Sequence, residues 1–393
     1  MDINDRFILA NTLAKGRKFQ EADDIYSELL EYTSEKHKIW LNKALNFKRM
    51  ADYHQALESV NNALKTSSTY VSAYIAKFEI LALMSEYESA MKYQEWMFGD
   101  NFLSHPSLED SVAKRLDWDD PYVQRSLYSR NNIDFSQIED SEDENLYDNI
   151  LSKVDGKTIV ILSSQGLGDV IQCSQYITYL YEYYNPKKII LVGRKELYRV
   201  MYNLCPVFEF STIMPKEYDY FVPIFSLMKL FGGDNTPAFP WLKVSERDVN
   251  FYSYLINSDG RTKVGIVWKG NPNHTNDGNR SSTIQEIIAR MGDVSDKHII
   301  SLQYDPSEEE KEYMRNSNIR DMSKHINDLF DIGCIMKSLD LFISVDSAPI
   351  HLAGALGINS LLLLPLGEED WRWGTSEKAN YESVKIIRKS KAP

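Results

Sequence analysis

LDLFISVDSAPIHLAGALGINSLLLL, residues 339–364, decides the fold class of this chain. Leu339–Val345 and Asn359–Leu364 are continuous apolar runs, as in parallel strands buried on both faces. Between them a helix opens on Asp346, Ser347 and Pro349, and its small residues Ala353, Gly354 and Ala355 permit close packing on a sheet. Proline in the first helical turn forfeits no useful donor. The backbone N–H groups around Ser347 and Ala348, with the helix dipole behind them, form a cradle for a pyrophosphate. His351, one turn inside, is placed to reach phosphate or ribose; the alternative is a buried structural histidine.

The same alternation extends towards the N-terminus. TIVILS (158–163), KIILV (188–192) and YDYFVP (218–223) read as one strand series, and KVGIVW (263–268) and HIISL (298–302) join the two runs above in a second. Two doubly wound sheets follow, with ligands bound beyond the carboxyl ends of their strands. After the first strand comes Ser163-Ser164-Gln165-Gly166-Leu167-Gly168-Asp169. Gly166 and Gly168 let the backbone turn beside Gln165, and Asp169 falls in a first helical turn, where the dipole favours its ionised form. It reads as a base or as a helix cap. A third glycine, as a dinucleotide fingerprint requires, is missing. After KVGIVW, residues 269–281 are rich in turn formers. Lys269 and Arg280 there offset anionic charge, and Asn271 and His274 supply hydrogen bonds. A loop of that length in a compact α/β domain is usually functional.

The N-terminal part has a different period. Phe19-Gln-Glu-Ala22, Tyr53-His-Gln-Ala56 and Tyr87-Glu-Ser-Ala90 place an aromatic three residues before an alanine, and the alanines are 34 residues apart. Leu13, Phe47 and Leu81, then Leu30, Leu64 and Phe98, align in the same register. Each unit is a helix hairpin with alanine where two helices approach closely. Beyond Gly99 the period fades. The acidic run IEDSEDENLYD (138–148) reads as a solvated linker. Asp117-Trp118-Asp119 spells a pattern that can hold a metal, but no strand precedes it and a charged loop is the plainer reading.

The chain has 393 residues, enough for more than two domains. Its net charge of −13 repels nucleic acid and anionic membrane surfaces. No apolar run reaches the ~18 residues needed for a membrane span, and the segment MDINDRF lacks the features of a signal peptide, so a cytoplasmic location is expected. Cys173, Cys205 and Cys334 are widely separated and form no Cys-x-x-Cys, which indicates neither a disulfide framework nor a zinc site.

The N-terminal period resembles the tetratricopeptide repeat family. Residues 156–388 resemble the GT-B glycosyltransferases, specifically the ADP-heptose:lipopolysaccharide heptosyltransferase-like proteins that follow such repeats. The resemblance is carried by Gly156-Lys157-Thr158, by Gln165 through Gln172, and by Trp268–Asn271 with His274, Asp277 and Arg280-Ser281. It continues in Ser301-Leu302-Gln303, Asp346-Ser347, His351–Gly357 and Asp370-Trp371-Arg372-Trp373. It implies an α + α/β chain: tetratricopeptide repeats over 1–110, a connection over 111–155, then a GT-B pair of Rossmann-like domains, acceptor-side over 156–255 and nucleotide-sugar-binding over 256–393. It implies a glycosyltransferase that moves a heptose or hexose from a nucleotide-diphosphate sugar to an acceptor hydroxyl without a metal or other cofactor. Asp169 would be the general base in the acceptor-side loop with Gln165, Gly166 and Gly168. Asp346, Ser347 and Ala348 would hold the diphosphate, assisted by Lys269, Asn271, His274, Arg280 and His351, and Gln303 would contact the nucleoside. The acceptor would be a glycan, a lipid-linked molecule or a protein; the repeat groove either takes a protein partner or serves as a docking layer against the following domain. Two alternatives stand beside this: an inactive scaffold that keeps the fold, and a nucleotide-sugar epimerase.

Overall fold

The computed structural model describes residues 2–97, 114–117, 119–130, 141, 143, 145–163, 165–232, 240–256, 260–274, 277–364, 370–373 and 381–388. The expected positions Phe98 and Trp118, and residues 138–140, 142 and 144 of the acidic run, lie outside these. The chain divides into two compact units. One comprises Met1–Leu151, Met228–Asp234 and Gly367–Thr375; the other comprises Ser152–Leu227, Asn235–Leu366 and Ser376–Pro393.

The first unit opens with three helix hairpins: α1 (Ile3–Lys15) and α2 (Phe19–Tyr32), α3 (Lys36–Arg49) and α4 (Tyr53–Thr66), α5 (Val71–Leu83) and α6 (Tyr87–Met91). Ala22, Ala56 and Ala90 are fully buried, which explains why no larger residue stands there. The repeat is also written in the backbone. Arg17, Ala51 and Ser85, again 34 apart, take left-handed φ values of 61°, 61° and 64°. The following amides of Lys18, Asp52 and Glu86 donate to the carbonyls of Leu13, Phe47 and Leu81 at 2.9, 3.0 and 2.9 Å. This six-to-one bond satisfies carbonyls left over at each helix end and reverses the chain. The register residues Leu13, Phe47 and Leu81 therefore serve both packing and turn.

Asp117 and Asp119 part company in the same unit. Asp117 is buried and accepts from Arg115 Nε at 2.7 Å, while Asp119 is exposed. The Arg115 guanidinium also reaches Glu95 at 2.6 Å, and Lys229, fully buried, pairs with Asp120 at 2.7 Å. The plainer reading of a charged loop is thus refined to a buried ion cluster, and among the described residues no three acidic, histidine or cysteine side chains gather as metal ligands. The Trp371 ring meets Phe78 of α5 edge-on at 4.8 Å, which places the Asp370–Trp373 motif with the helical array.

The second unit holds two parallel sheets. The four-stranded one runs in order β3-β2-β1-β4, from β1 (Thr158–Leu162), β2 (Lys188–Val192), β3 (Phe208–Ser211) and β4 (Tyr220–Pro223). The six-stranded one runs β10-β9-β8-β5-β6-β7, from β5 (Thr262–Val267), β6 (Lys297–Ser301), β7 (Arg320–Asp321), β8 (Leu341–Val345), β9 (Ser360–Leu364) and β10 (Val384–Arg388). Strand order reverses direction beside β1 in the first sheet and between β5 and β8 in the second, so each sheet has a switch point where loops diverge and leave a crevice. The Gln165–Asp169 loop follows β1, and the 268–281 and 346–348 loops follow β5 and β8. Among the described residues no helix is long and apolar enough to cross a membrane.

In the helix Ala348–Leu356 the small residues Ala353, Gly354 and Ala355 are all buried. A Cβ on Gly354 would stand 2.3 Å from Tyr381 Cδ1 and 2.4 Å from Cγ. Gly354→Ala is therefore expected to destabilise the protein by about 1–3 kcal/mol through overpacking against a buried ring. Urea unfolding measures this, and an unchanged midpoint would remove the close approach from the account.

Candidate active site

The two switch-point loops meet. The helix Leu167–Cys173 begins where β1 ends, and Gly166 N donates to Asp169 Oδ2 at 3.0 Å, so the carboxylate caps its own helix start. Its neighbour Gly168 is hemmed in from the other half: an added Cβ would lie 2.7 Å from His351 Cδ2 and 3.4 Å from Ala348 Cα. A glycine at 168 is what lets the first turn carrying Asp169 rest directly on the first turn carrying Ser347 and Ala348. Gln165 is half-buried and Gly166 exposed beside it.

Ser347 is the N-cap of the helix Ala348–Leu356, but its side chain does not cap the helix. Oγ turns back to the Val345 carbonyl at 3.2 Å and to Ser344 Oγ at 3.3 Å. The Ser347 side chain thus does not cap the helix's first-turn amides, and helix starts favour anions. Asp346 is mostly buried and stands 3.9 Å from His351 Nε2.

His351 belongs to the interior. It is 3% exposed, and its Nδ1 shares a 2.8 Å hydrogen bond with Tyr381 Oη. Burial pushes its pKa down to about 3, so the ring is neutral at physiological pH. The sequence places His351 at a phosphate or ribose; the structure instead makes it a wedge between Gly168 and Tyr381, the structural alternative weighed for it.

The loop after β5 is held by its own side chains. Gln303, 7% exposed, accepts from the Trp268 and Lys269 amides through Oε1 at 3.3 and 3.2 Å, and its Nε2 donates to the Lys269 carbonyl at 3.3 Å. The amide expected to meet a nucleoside is occupied as a clamp on the loop. Lys269 is likewise occupied, its Nζ 2.6 Å from Glu310 Oε2, while Glu310 Oε1 accepts from Trp268 Nε1 at 2.7 Å. Burial alone would raise the Glu310 pKa, but hydrogen bonds from Lys269, Trp268 and the Ser307 amide hold it below the usual carboxylate range. Sequence reasoning missed Glu310, although Ser307 followed by Glu310 spells a capping box.

Farther along, Arg280 Nε donates to Asp277 Oδ1 at 3.1 Å, and Nη2 reaches the Asn271 carbonyl at 3.4 Å. The guanidinium lies over Gly270, where a Cβ would be 2.6 Å from Nη2. Asn271 Oδ1 accepts from the Asn273 amide at 3.0 Å. His274 is partly desolvated and feels charges of both signs. Desolvation first and Arg280 second lower its pKa, while Asp346 and Asp277 pull the other way. Of the expected donor-side residues, Ala348 and His351 therefore meet Gly168 beside Asp169, with Asp346 and Ser347 at the same helix start, whereas Lys269, Gln303 and Arg280 brace the loop.

The chain is similar to solved heptosyltransferases. Escherichia coli ADP-heptose LPS heptosyltransferase II is 13% identical with a TM-score of 0.43, over 60% of this chain and 91% of that one. A glycosyl transferase family 9 structure from Veillonella parvula is 12% identical with a TM-score of 0.44, over 60% and 87%. A Thermobaculum terrenum O-GlcNAc transferase mutant covers 94% of this chain and 84% of its own at 8% identity and a TM-score of 0.22. No family model and no curated protein matches the sequence.

Proposed function

We propose that this chain is a GT-B glycosyltransferase that moves a sugar from a nucleoside diphosphate to an acceptor hydroxyl, with the heptosyltransferase-like proteins as its relatives. One observation carries the reading: the helix start that bears the Asp169 carboxylate and the helix start at Ser347–Ala348 touch where Gly168 meets Ala348, at the switch points of two parallel sheets. Main-chain amides and the dipole of the second helix would stabilise the diphosphate without a metal. Asp169 would take the proton of the acceptor hydroxyl as its oxygen bonds to the anomeric carbon, and the carbon–oxygen bond to the diphosphate breaks, the nucleoside diphosphate leaving with the electron pair. His274 and Asp346 would border the diphosphate, and Asn271, Arg280, Lys269 and Gln303 would hold the loop that lies beside it.

The scaffold reading draws support from one feature: Lys269, Gln303, Arg280 and Asp169 all have partners within the protein. Thermal unfolding with a panel of nucleoside diphosphates and their sugars separates the two. A ligand bound only by the folded state stabilises it by about 2.7 kcal/mol at 100 times its Kd. A clear rise with one nucleotide class is expected. No shift with any of them would sink the transferase reading and leave the scaffold.

A further inference from the structure

The acceptor side of the unit carries an aromatic cluster that the site above does not use. Tyr198 and Tyr202, one helical turn apart, are 47% and 61% exposed. Their rings meet edge-on at 6.0 Å, and Tyr198 meets Phe210 of β3 edge-on at 5.7 Å. The cluster stands at the carboxyl ends of β2 and β3, on the same side of the sheet as the loop after β1. It also connects to that loop by direct packing. A Cβ on Gly193 would lie 3.7 Å from the Phe210 ring and 2.5 Å from Ser163 Oγ, at the start of the segment leading to Asp169.

The charges around the cluster argue for its occupant. Arg194 pairs with Glu196 at 3.0 Å, Lys188 with Glu209 at 2.7 Å, and Arg199, beside Tyr198, with Asp328 and Asp331 at 3.0 Å each. Each of these cations has an acidic partner, Lys195 also acts on Glu196, and the chain as a whole is strongly acidic. A phosphorylated or carboxylated acceptor finds no match in them. Open tyrosine faces do match the C–H face of a pyranose, whose slightly positive hydrogens meet the negative face of the ring, while phenol hydroxyls serve sugar hydroxyls at the rim.

Resting on the glycosyltransferase reading, we propose that Tyr198, Tyr202 and Phe210 form a stacking platform for a neutral sugar residue of a glycan acceptor, which they hold beside the Asp169 loop. The test is saturation-transfer NMR on the full chain. Its probes are neutral methyl pyranosides and neutral oligosaccharides, alongside phosphorylated and carboxylated counterparts. Wild type is expected to bind the neutral probes. Tyr198→Ala with Tyr202→Ala should weaken that binding about tenfold or more, whereas the double phenylalanine variant, which keeps both ring faces, retains most of it. Both variants should unfold at the wild-type temperature and respond to nucleoside diphosphates as wild type does. Equal binding by the alanine variant, no binding of neutral probes by wild type, or a preference for the anionic ones would each overturn the platform. A missing nucleotide response beside intact sugar binding would count against the transferase reading and leave the platform standing.

Discussion

Replacing Asp169 with asparagine is expected to lower kcat for sugar transfer about 10²–10⁴-fold, the range over which a positioned general base acts, with nucleotide affinity unchanged. The choice of asparagine matters because Asp169 has two jobs in the geometry. One oxygen accepts from the Gly166 amide at 3.0 Å and ties off the helix start. Loss of such a cap destabilises a helix by about 0.5–2 kcal/mol, so an alanine variant would confuse lost folding with lost chemistry. Asparagine keeps an oxygen for Gly166 and removes only the ability to take a proton. Single-turnover kinetics report the chemical step and calorimetry reports nucleotide affinity. Undiminished turnover would leave capping as the whole role of Asp169.

How legible the fold was depends on how each strand is buried. β1, β2, β5, β6, β8 and β9 lie inside their sheets, and their uninterrupted apolar runs announce them. The strands that escaped reading, β3, β7 and β10, are all sheet edges. An edge strand has less to bury: β10 alternates buried Val384 and Ile386 with exposed Lys385 and Ile387, and β7 is two residues long. The 34-residue period was plain because every repeat reuses the same alanine contact and the same left-handed turn. The site was legible only in its local half. Sequence identifies helix starts that favour anions and acids, but not what lies across from them. That Gly168 touches Ala348, that Tyr381 fills the groove over Gly354, and that Lys269 turns to Glu310 are long-range packing facts without a local signature. The same holds for the Tyr198–Phe210 contact, which joins a helix to a strand and has no local signature.

The wedge at His351 should set the acid limit of the fold. A histidine in an unfolded chain takes up its proton near pH 6.5, whereas burial holds the folded ring neutral down to about 3. Burial is the cause of that shift; Asp346 stands 3.9 Å from Nε2, and the neighbouring Tyr381 hydroxyl carries no charge. Above pH 6.5 the ring is neutral in both states, so its contribution is intact. Below it the unfolded chain binds a proton that the folded one refuses, and stability falls by about 1.4 kcal/mol per pH unit until roughly pH 3. The loss is about 2 kcal/mol by pH 5 and about 5 kcal/mol across the whole window. Urea unfolding at pH 7 and pH 5 should show wild type losing about 2 kcal/mol more than His351→Gln, which retains a hydrogen-bonding side chain for Tyr381 but has no proton to gain. Parallel losses in the two proteins would mean that the ring is hydrated and chargeable in the folded state. The contact that seats Asp169 against the Ser347 helix would then lack its wedge.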